Sequence, residues 1–203
     1  MNQNILILAG LAAAVLAGCA VYTPPTPQET DAVIKSSFSE RSIAKLDRLD
    51  QSEPQAICSA TRDNPSKEQS ALIEKLATAT IQYPADGKLI GDWRSGERIA
   101  QSGVGMQWSD NEKTVNGGNC YACHQIDKKE IAYGNIGPSL HHYGKLRGNS
   151  EAIQKYTWGK IWNSHAFTPC SQMPRYGDAK ILTEAQIKDV MALLLDPASP
   201  VNQ

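Results

Sequence analysis

Two thiols and an imidazole stand together at Cys120-Tyr121-Ala122-Cys123-His124. The C-x-x-C-H spacing is the one required for covalent attachment of a c-type haem. On the first turn of a helix, the two sulfurs reach the two vinyl groups of the porphyrin while His124 lies under the iron as proximal ligand. Zinc would need a second ligand pair, and the only other late cysteine, Cys170, stands alone. A thioredoxin-like dithiol would need alternating strands and helices around it, and no such pattern surrounds this motif. One covalent haem c is therefore the expected cofactor.

What fills the second axial position of the iron separates electron transfer from catalysis, because an open position permits chemistry and a filled one mostly forbids it. The candidates are Met106, Met173, Met191, His141, His142 and His165. Met191 falls on an apolar helical stripe and reads as core. Met106 precedes the haem motif in a glycine-rich loop, and His141 and His142 read as surface or hydrogen-bonded loop histidines. Met173 lies in a loop after the motif, with Pro174 restricting the backbone behind it, where a chain wrapped once around a haem brings sulfur to the distal face. Met173 is the expected ligand, and His165 on the same segment, with its stronger imidazole, is the rival.

Helices must carry these groups. Asp31 to Asp50 mixes charges of both signs with an imperfect stripe of Val33, Ile34, Phe38, Ile43 and Leu46, which predicts a helix. A second helix is predicted from the Asn64-Pro65 start signal to Tyr83-Pro84. Asp92 caps a third, in which Gly96 and Ala100 share one face and permit a close crossing. The crossing partner is the last helix, Thr183 to Asp196, with a Thr183/Gln186 capping box and Ile187, Val190, Met191, Leu194 and Leu195 at helical spacing. Between them, the haem motif should open a short helix, Ser150 should cap a helix from Glu151 to Asn163, and 164–179 should be a loop. No stretch shows strand alternation bounded by turns, so the fold class is all-α.

The chain of 203 residues is 41% hydrophobic with a net charge of −1, which is ordinary globular composition and gives no reason to expect a nucleic-acid partner. Residues 1–18 contain no charged side chain and read as a signal peptide. The following Leu16-Ala17-Gly18-Cys19 has the form of a lipoprotein cleavage site, with Cys19 as the lipid-bearing first residue of a periplasmic, membrane-tethered chain. Ordinary cleavage at Gly18-Cys19-Ala20 is the alternative. Residues 19–88 form a proline-rich tether and helical extension, and 89–203 the haem domain. Five cysteines divide into Cys19 for lipid, Cys120 and Cys123 for haem, and a surplus pair, Cys58 and Cys170. In an oxidising compartment that count points to a disulfide, with two unrelated buried thiols as the alternative.

The order of these features resembles class I cytochromes c: a helix with Gly96, C-x-x-C-H, Gly137-Pro138-x-Leu140, a Met-Pro loop and a C-terminal helix, over about residues 89–197. In that family the carbonyl matching Pro138 accepts a hydrogen bond from the proximal imidazole. An aromatic usually stands where this chain has Ala100, so the crossing must be filled differently. More closely, Gly134-Asn135-Ile136-Gly137-Pro138-Ser139-Leu140 and Pro169-Cys170-Ser171-Gln172-Met173-Pro174-Arg175-Tyr176-Gly177 resemble the sulfur-oxidation cytochrome SoxX family. That resemblance implies a monohaem subunit paired with a SoxA-like haem subunit, which conjugates thiosulfate to a carrier-protein cysteine. This chain would take up electrons, hand them to a small downstream acceptor, and not be catalytic alone.

Two other functions compete with that expectation: a free-standing exported electron shuttle, and a haem enzyme or sensor with an open iron site. One charge pattern bears on partners. Residues 120–180 hold eight Lys or Arg against four Asp or Glu. That excess either steers an acidic partner or consists of solvated neighbours of the haem propionates.

Overall fold

The computed structural model describes residues 23–203; the signal segment and Cys19 lie outside them. Residues up to Ser39 form one compact unit and Glu40–Gln203 another. In the first, Thr26 caps α1 (Pro27–Ser37) through a reciprocal capping box with Glu29. The helix predicted over 31–50 therefore starts earlier and stops at Phe38. Ser36 Oγ donates to the Val33 carbonyl at 3.0 Å, a local bond that competes with the helical ladder. Ile43 and Leu46, counted into the same stripe, belong to an isolated bridge between Arg41 and Ala44 and a 3-10 turn at Leu46–Leu49.

In the second unit, α2 (Glu53–Thr61) and α3 (Lys67–Ala79) precede α4 (Trp93–Gln101), α5 (Tyr143–Arg147), α6 (Glu151–Trp162) and α7 (Glu184–Leu195). No strand occurs among the described residues. Helix α2 is a finding beyond the sequence reading, although Ser52 and Gln55 form a capping box and Pro54 sits in the first turn. Helix α3 starts at Lys67 rather than at Pro65, because Ser66 pairs reciprocally with Gln69 and supplies a better cap than Asn64. The disulfide Cys58–Cys170 ties α2 to the segment after α6, with Cα atoms 5.4 Å apart, and Ile57 and Ile73 pack around it. Two further bonds anchor the chain after α3 to α6: Asn163 Nδ2 donates to Thr80 Oγ1 at 3.0 Å and Trp158 Nε1 to the Gln82 carbonyl at 2.8 Å.

The crossing of α4 and α7 is as tight as Gly96 implies. A Cβ at Gly96 would overlap the Asp189 carbonyl and sit 3.0 Å from Leu193 Cβ. Asp92 caps α4 with its carboxylate, while its own N–H donates to Asp189 Oδ1 at 2.8 Å, so the helix start is bound to its partner. Ala100, where an aromatic was missing, is fully buried. The core around it is built by Ile187, Met191 and Leu193 of α7 with Trp158 and Ile126.

Replacing Gly96 by Val should lower the unfolding free energy by about 2 kcal/mol or more, since the overlap is with backbone and cannot be relieved by a rotamer change. Denaturant unfolding of the haem protein measures this, and a loss under about 0.5 kcal/mol would contradict the packing.

Candidate haem-binding site

The C-x-x-C-H motif makes a single 3-10 turn, Cys120–Ala122, instead of opening an α-helix. The backbone explains the difference. Cys120 O accepts both Cys123 N–H (3.1 Å) and His124 N–H (2.9 Å), and the carbonyls that would propagate a helix are engaged elsewhere. Gly134 N–H takes the Tyr121 carbonyl (2.8 Å) and Gly137 N–H takes that of Cys123 (2.9 Å). The loop 134–140 is thus laid along the motif, and Leu140 N–H completes the pairing to the Gln125 carbonyl at 2.8 Å.

This pairing orients the imidazole. His124 Nδ1 lies 2.7 Å from the Pro138 carbonyl. A carbonyl only accepts, so Nδ1 carries the proton and Nε2 keeps its lone pair for a metal. Gly137 lies directly under the ring: a Cβ there would overlap Cε1 and come within 2.5 Å of Nδ1. No other residue leaves space for the histidine.

The motif opens onto a cavity of about 560 Å³ lined by Cys120, Cys123, His124, Pro138, Met173 and Tyr176, closed by Leu182, Val190, Leu193 and Leu194. Cys120 and Cys123 are free thiols, and burial pushes the Cys120 thiol up to about 12, so it is a neutral S–H in an apolar wall. Two unpaired thiols, an imidazole with a free Nε2 and a largely apolar cavity are the donor set and shape that a covalent porphyrin requires.

The segment 163–177 supplies the opposite wall of the cavity. Cys170 is held by the disulfide in a left-handed conformation, φ 57°. Such a conformation costs an L-residue about 1 kcal/mol. Ser164 Oγ donates to the Met173 carbonyl at 2.7 Å, and Met173 N–H to Ser171 Oγ at 3.2 Å. Tyr176 N–H donates to the Ile161 carbonyl (3.1 Å) and Gly177 N–H to that of Trp162 (3.1 Å), where a Cβ on Gly177 would overlap the indole. Tyr176 OH crosses to the Gly118 carbonyl at 2.5 Å, joining this segment to the residues ahead of the motif. Burial raises the phenol's pKa, so it stays a donor.

Among the described methionines, Met173 alone lines the cavity. Met191 is fully buried in the core, and Met106 lies at φ 63° on the surface with Asn116 Nδ2 3.4 Å from its sulfur. His165, which the sequence placed in a loop, belongs to a 3-10 turn, Ser164–Ala166. Its ring lies toward a smaller cleft of about 370 Å³ beside the disulfide, where Nε2 donates to the Ser171 carbonyl at 3.1 Å. His141 and His142 stack on each other with ring centroids 3.7 Å apart, and His142 Nε2 bonds the Gln203 carbonyl. Neither lines the cavity. Sequence reasoning did not single out Tyr176, Trp162 or the cavity-lining Lys160 and Arg147. The tight Tyr176-Gly177 pair within the Met-Pro string was the available signal for the first two.

An all-α unit that wraps such a cavity over C-x-x-C-H is a cytochrome c in architecture. The cytochrome c family model matches residues 109–196. Over 210 residues and the whole of both chains, the protein is 35% identical to an uncharacterized lipoprotein of Aquifex aeolicus (strain VF5). The chain belongs to one family with that lipoprotein, and its cytochrome c domain carries covalently bound haem c and serves haem-based electron transfer.

Three measurements check the distal segment. The closed loop between Cys58 and Cys170 spans 112 residues, so the Cys58→Ser/Cys170→Ser double variant should lose about 2–4 kcal/mol of stability. Thiol counting on the denatured, unreduced haem protein should find neither cysteine free. His165 gives a pH signature: burial holds its imidazole below the ordinary value. Above that ordinary value both folded and unfolded forms are neutral. As pH falls below it the unfolded chain takes up the proton first, so stability declines until the folded pKa is passed. Unfolding titrations between about pH 7 and pH 5 should show this acid slope, and His165→Gln should flatten it.

Proposed function

We propose that the iron would be held by His124 and Met173, and that the protein is the monohaem, electron-accepting subunit of a SoxAX-type complex. The observation that carries the ligation is that Met173, which also borders the cleft beside His165, is the one candidate among the described residues that lines the cavity with His124. Bound haem supplies a one-electron ferric/ferrous couple. A thioether ligand and burial both favour the ferrous form and raise the potential. Pro138 fixes the imidazole, the disulfide and Ser164 fix the backbone around Met173, and Tyr176 closes the two halves of the wall on each other. With His124 and Met173 holding the iron, the chain would take up an electron and pass it on, leaving no place for substrate at the metal.

Support for the sulfur-oxidation reading is the position of its two resembling strings. Residues 134–140 and 169–177 are the two loops that build the proximal and distal walls of the cavity. Among the described residues no cysteine is left as an activated nucleophile: Cys58 and Cys170 are bonded to each other, and Cys120 and Cys123 would belong to the haem. Conjugation of thiosulfate to a carrier cysteine would therefore need a SoxA-like partner, with electrons leaving through this haem to a small acceptor. Export with a lipid on Cys19 would keep the complex at a membrane surface, in keeping with the lipoprotein name of the relative. Among the described residues no helix is long and apolar enough to cross a membrane.

The oxidised protein should show the weak far-red charge-transfer band of a thioether–iron bond, and Met173→Ala should abolish it and admit carbon monoxide to the ferrous iron. Persistence of the band in the variant would refute Met173. For the complex, purification from the native host should bring down a second haem-bearing chain, and the isolated protein should not turn over thiosulfate with a carrier cysteine. A solitary protein at native concentrations would leave the free shuttle as the function.

A further inference from the structure

Tyr121 stands between the two cysteines of the motif, yet it does not line the haem cavity. Its ring is buried, and its OH donates to Glu97 of α4, with Oε1 at 2.9 Å and Oε2 at 3.2 Å. The same phenol oxygen accepts the Asp127 N–H at 3.2 Å. One turn further along α4, Gln101 Nε2 donates to Glu97 Oε1 at 2.7 Å. The end of α4 is itself tied to the chain ahead of the motif, because Gly118 N–H donates to the Ile99 carbonyl at 2.8 Å and Asn119 N–H to that of Ser102 at 2.9 Å. A partly buried carboxylate is thus fixed to the residue that separates the two haem-attaching thiols. Its charge reaches the Cys120 sulfur.

This carboxylate has donors but no cation. It forms no ion pair among the described residues. On its own helix Arg94 pairs with Asp92, and Arg98 bonds Ser95 Oγ. On α7, Asp189 is engaged by the Asp92 N–H. Across from it, the segment after the motif presents Asp127 and Glu130, and the intervening Lys128 and Lys129 do not pair with it. Burial, and then the like charge of those two acids, raise the pKa of Glu97 against the pull of its two donors.

We propose that Glu97 is a redox-linked proton site, which binds one proton from solvent as the haem domain takes up one electron and releases it when the electron leaves. The electron is the one carried in the domain's haem-based electron transfer. On this chain the only bond made or broken is the O–H of Glu97. An added electron removes one positive charge near Cys120, so the ionised carboxylate loses a favourable neighbour and its proton affinity rises. By linkage, a protonated Glu97 raises the reduction potential in equal measure. Below both of its pKa values Glu97 is protonated in either oxidation state, and above both it is ionised in either. Only between them does the potential fall as pH rises. The inference rests on the covalent haem c, not on Met173 ligation or on any partner.

The test uses the full haem protein and reads the midpoint potential between about pH 4 and pH 8 together with redox-difference infrared spectra. Reduction should raise the proton affinity of Glu97 about three- to tenfold. Within the sloping range it should bring up the C=O band of a protonated carboxyl. Glu97→Gln should remove that band and raise the potential at high pH, while converging on the parent protein at low pH. Gln101→Ala, at an exposed position where folding is not at stake, removes a donor to the ionised form and should move the inflection to higher pH. Tyr121→Phe should act in the same direction, and neither change should shift anything in a Glu97→Gln background. His165 titrates in an overlapping range, and His165→Gln should leave the inflection in place. If Glu97→Gln retains the parent inflection and carboxyl band, the proton belongs to a haem propionate or to His165 and the proposal is overturned. A potential displaced equally at every pH overturns it as well, since that is the mark of a structural change alone.

Discussion

A single hydrogen bond, from His124 Nδ1 to the Pro138 carbonyl at 2.7 Å, is the constraint on which the proximal half of the molecule depends. It sets the tautomer, and the tautomer sets which nitrogen faces the cavity. The bond exists only because residue 137 has no side chain and because the 134–140 loop is pinned to the motif through Gly134, Gly137 and Leu140. Those same pairings consume the carbonyls that would have continued a helix after Cys120. The motif's short turn and the ring's orientation are therefore one structural decision.

The distal half obeys a different logic, since the segment from Asn163 to Gly177 has no regular structure long enough to hold itself. It is held from outside by α2 through the disulfide, by α6 through the N–H groups of Tyr176 and Gly177, and by Gly118 through the Tyr176 phenol, and from within by Ser164 through the Met173 carbonyl. Helices α2 and α3, which carry no cofactor ligand, thus act on the haem site through the loop that bears Met173. That gives residues 53–79 a physical role in a cytochrome whose family match begins only at residue 109.

Function follows from these supports. A histidine fixed from one side and a thioether-bearing loop fixed from several hold the two walls of the cavity in place, which suits haem-based electron transfer.

The motif, the small-residue face of α4, the capping box and stripe of α7 and the surplus cysteine pair were legible in the sequence, because each is written within a few residues or in a simple count. Covalent haem and an all-α class followed from them. Local signals also sufficed for α2 and for the true start of α3, though stronger-looking cues at Asp31–Asp50 and Asn64-Pro65 masked them. Which of six candidate side chains shares the cavity with His124, and which cations face it, depended on contacts between residues 9 to 109 positions apart, such as Met173 with Ser164 and Gln172 with Asp63. No periodicity encodes such contacts. Side-chain direction in an irregular segment is set by what packs against it, and only the folded chain brings those neighbours together.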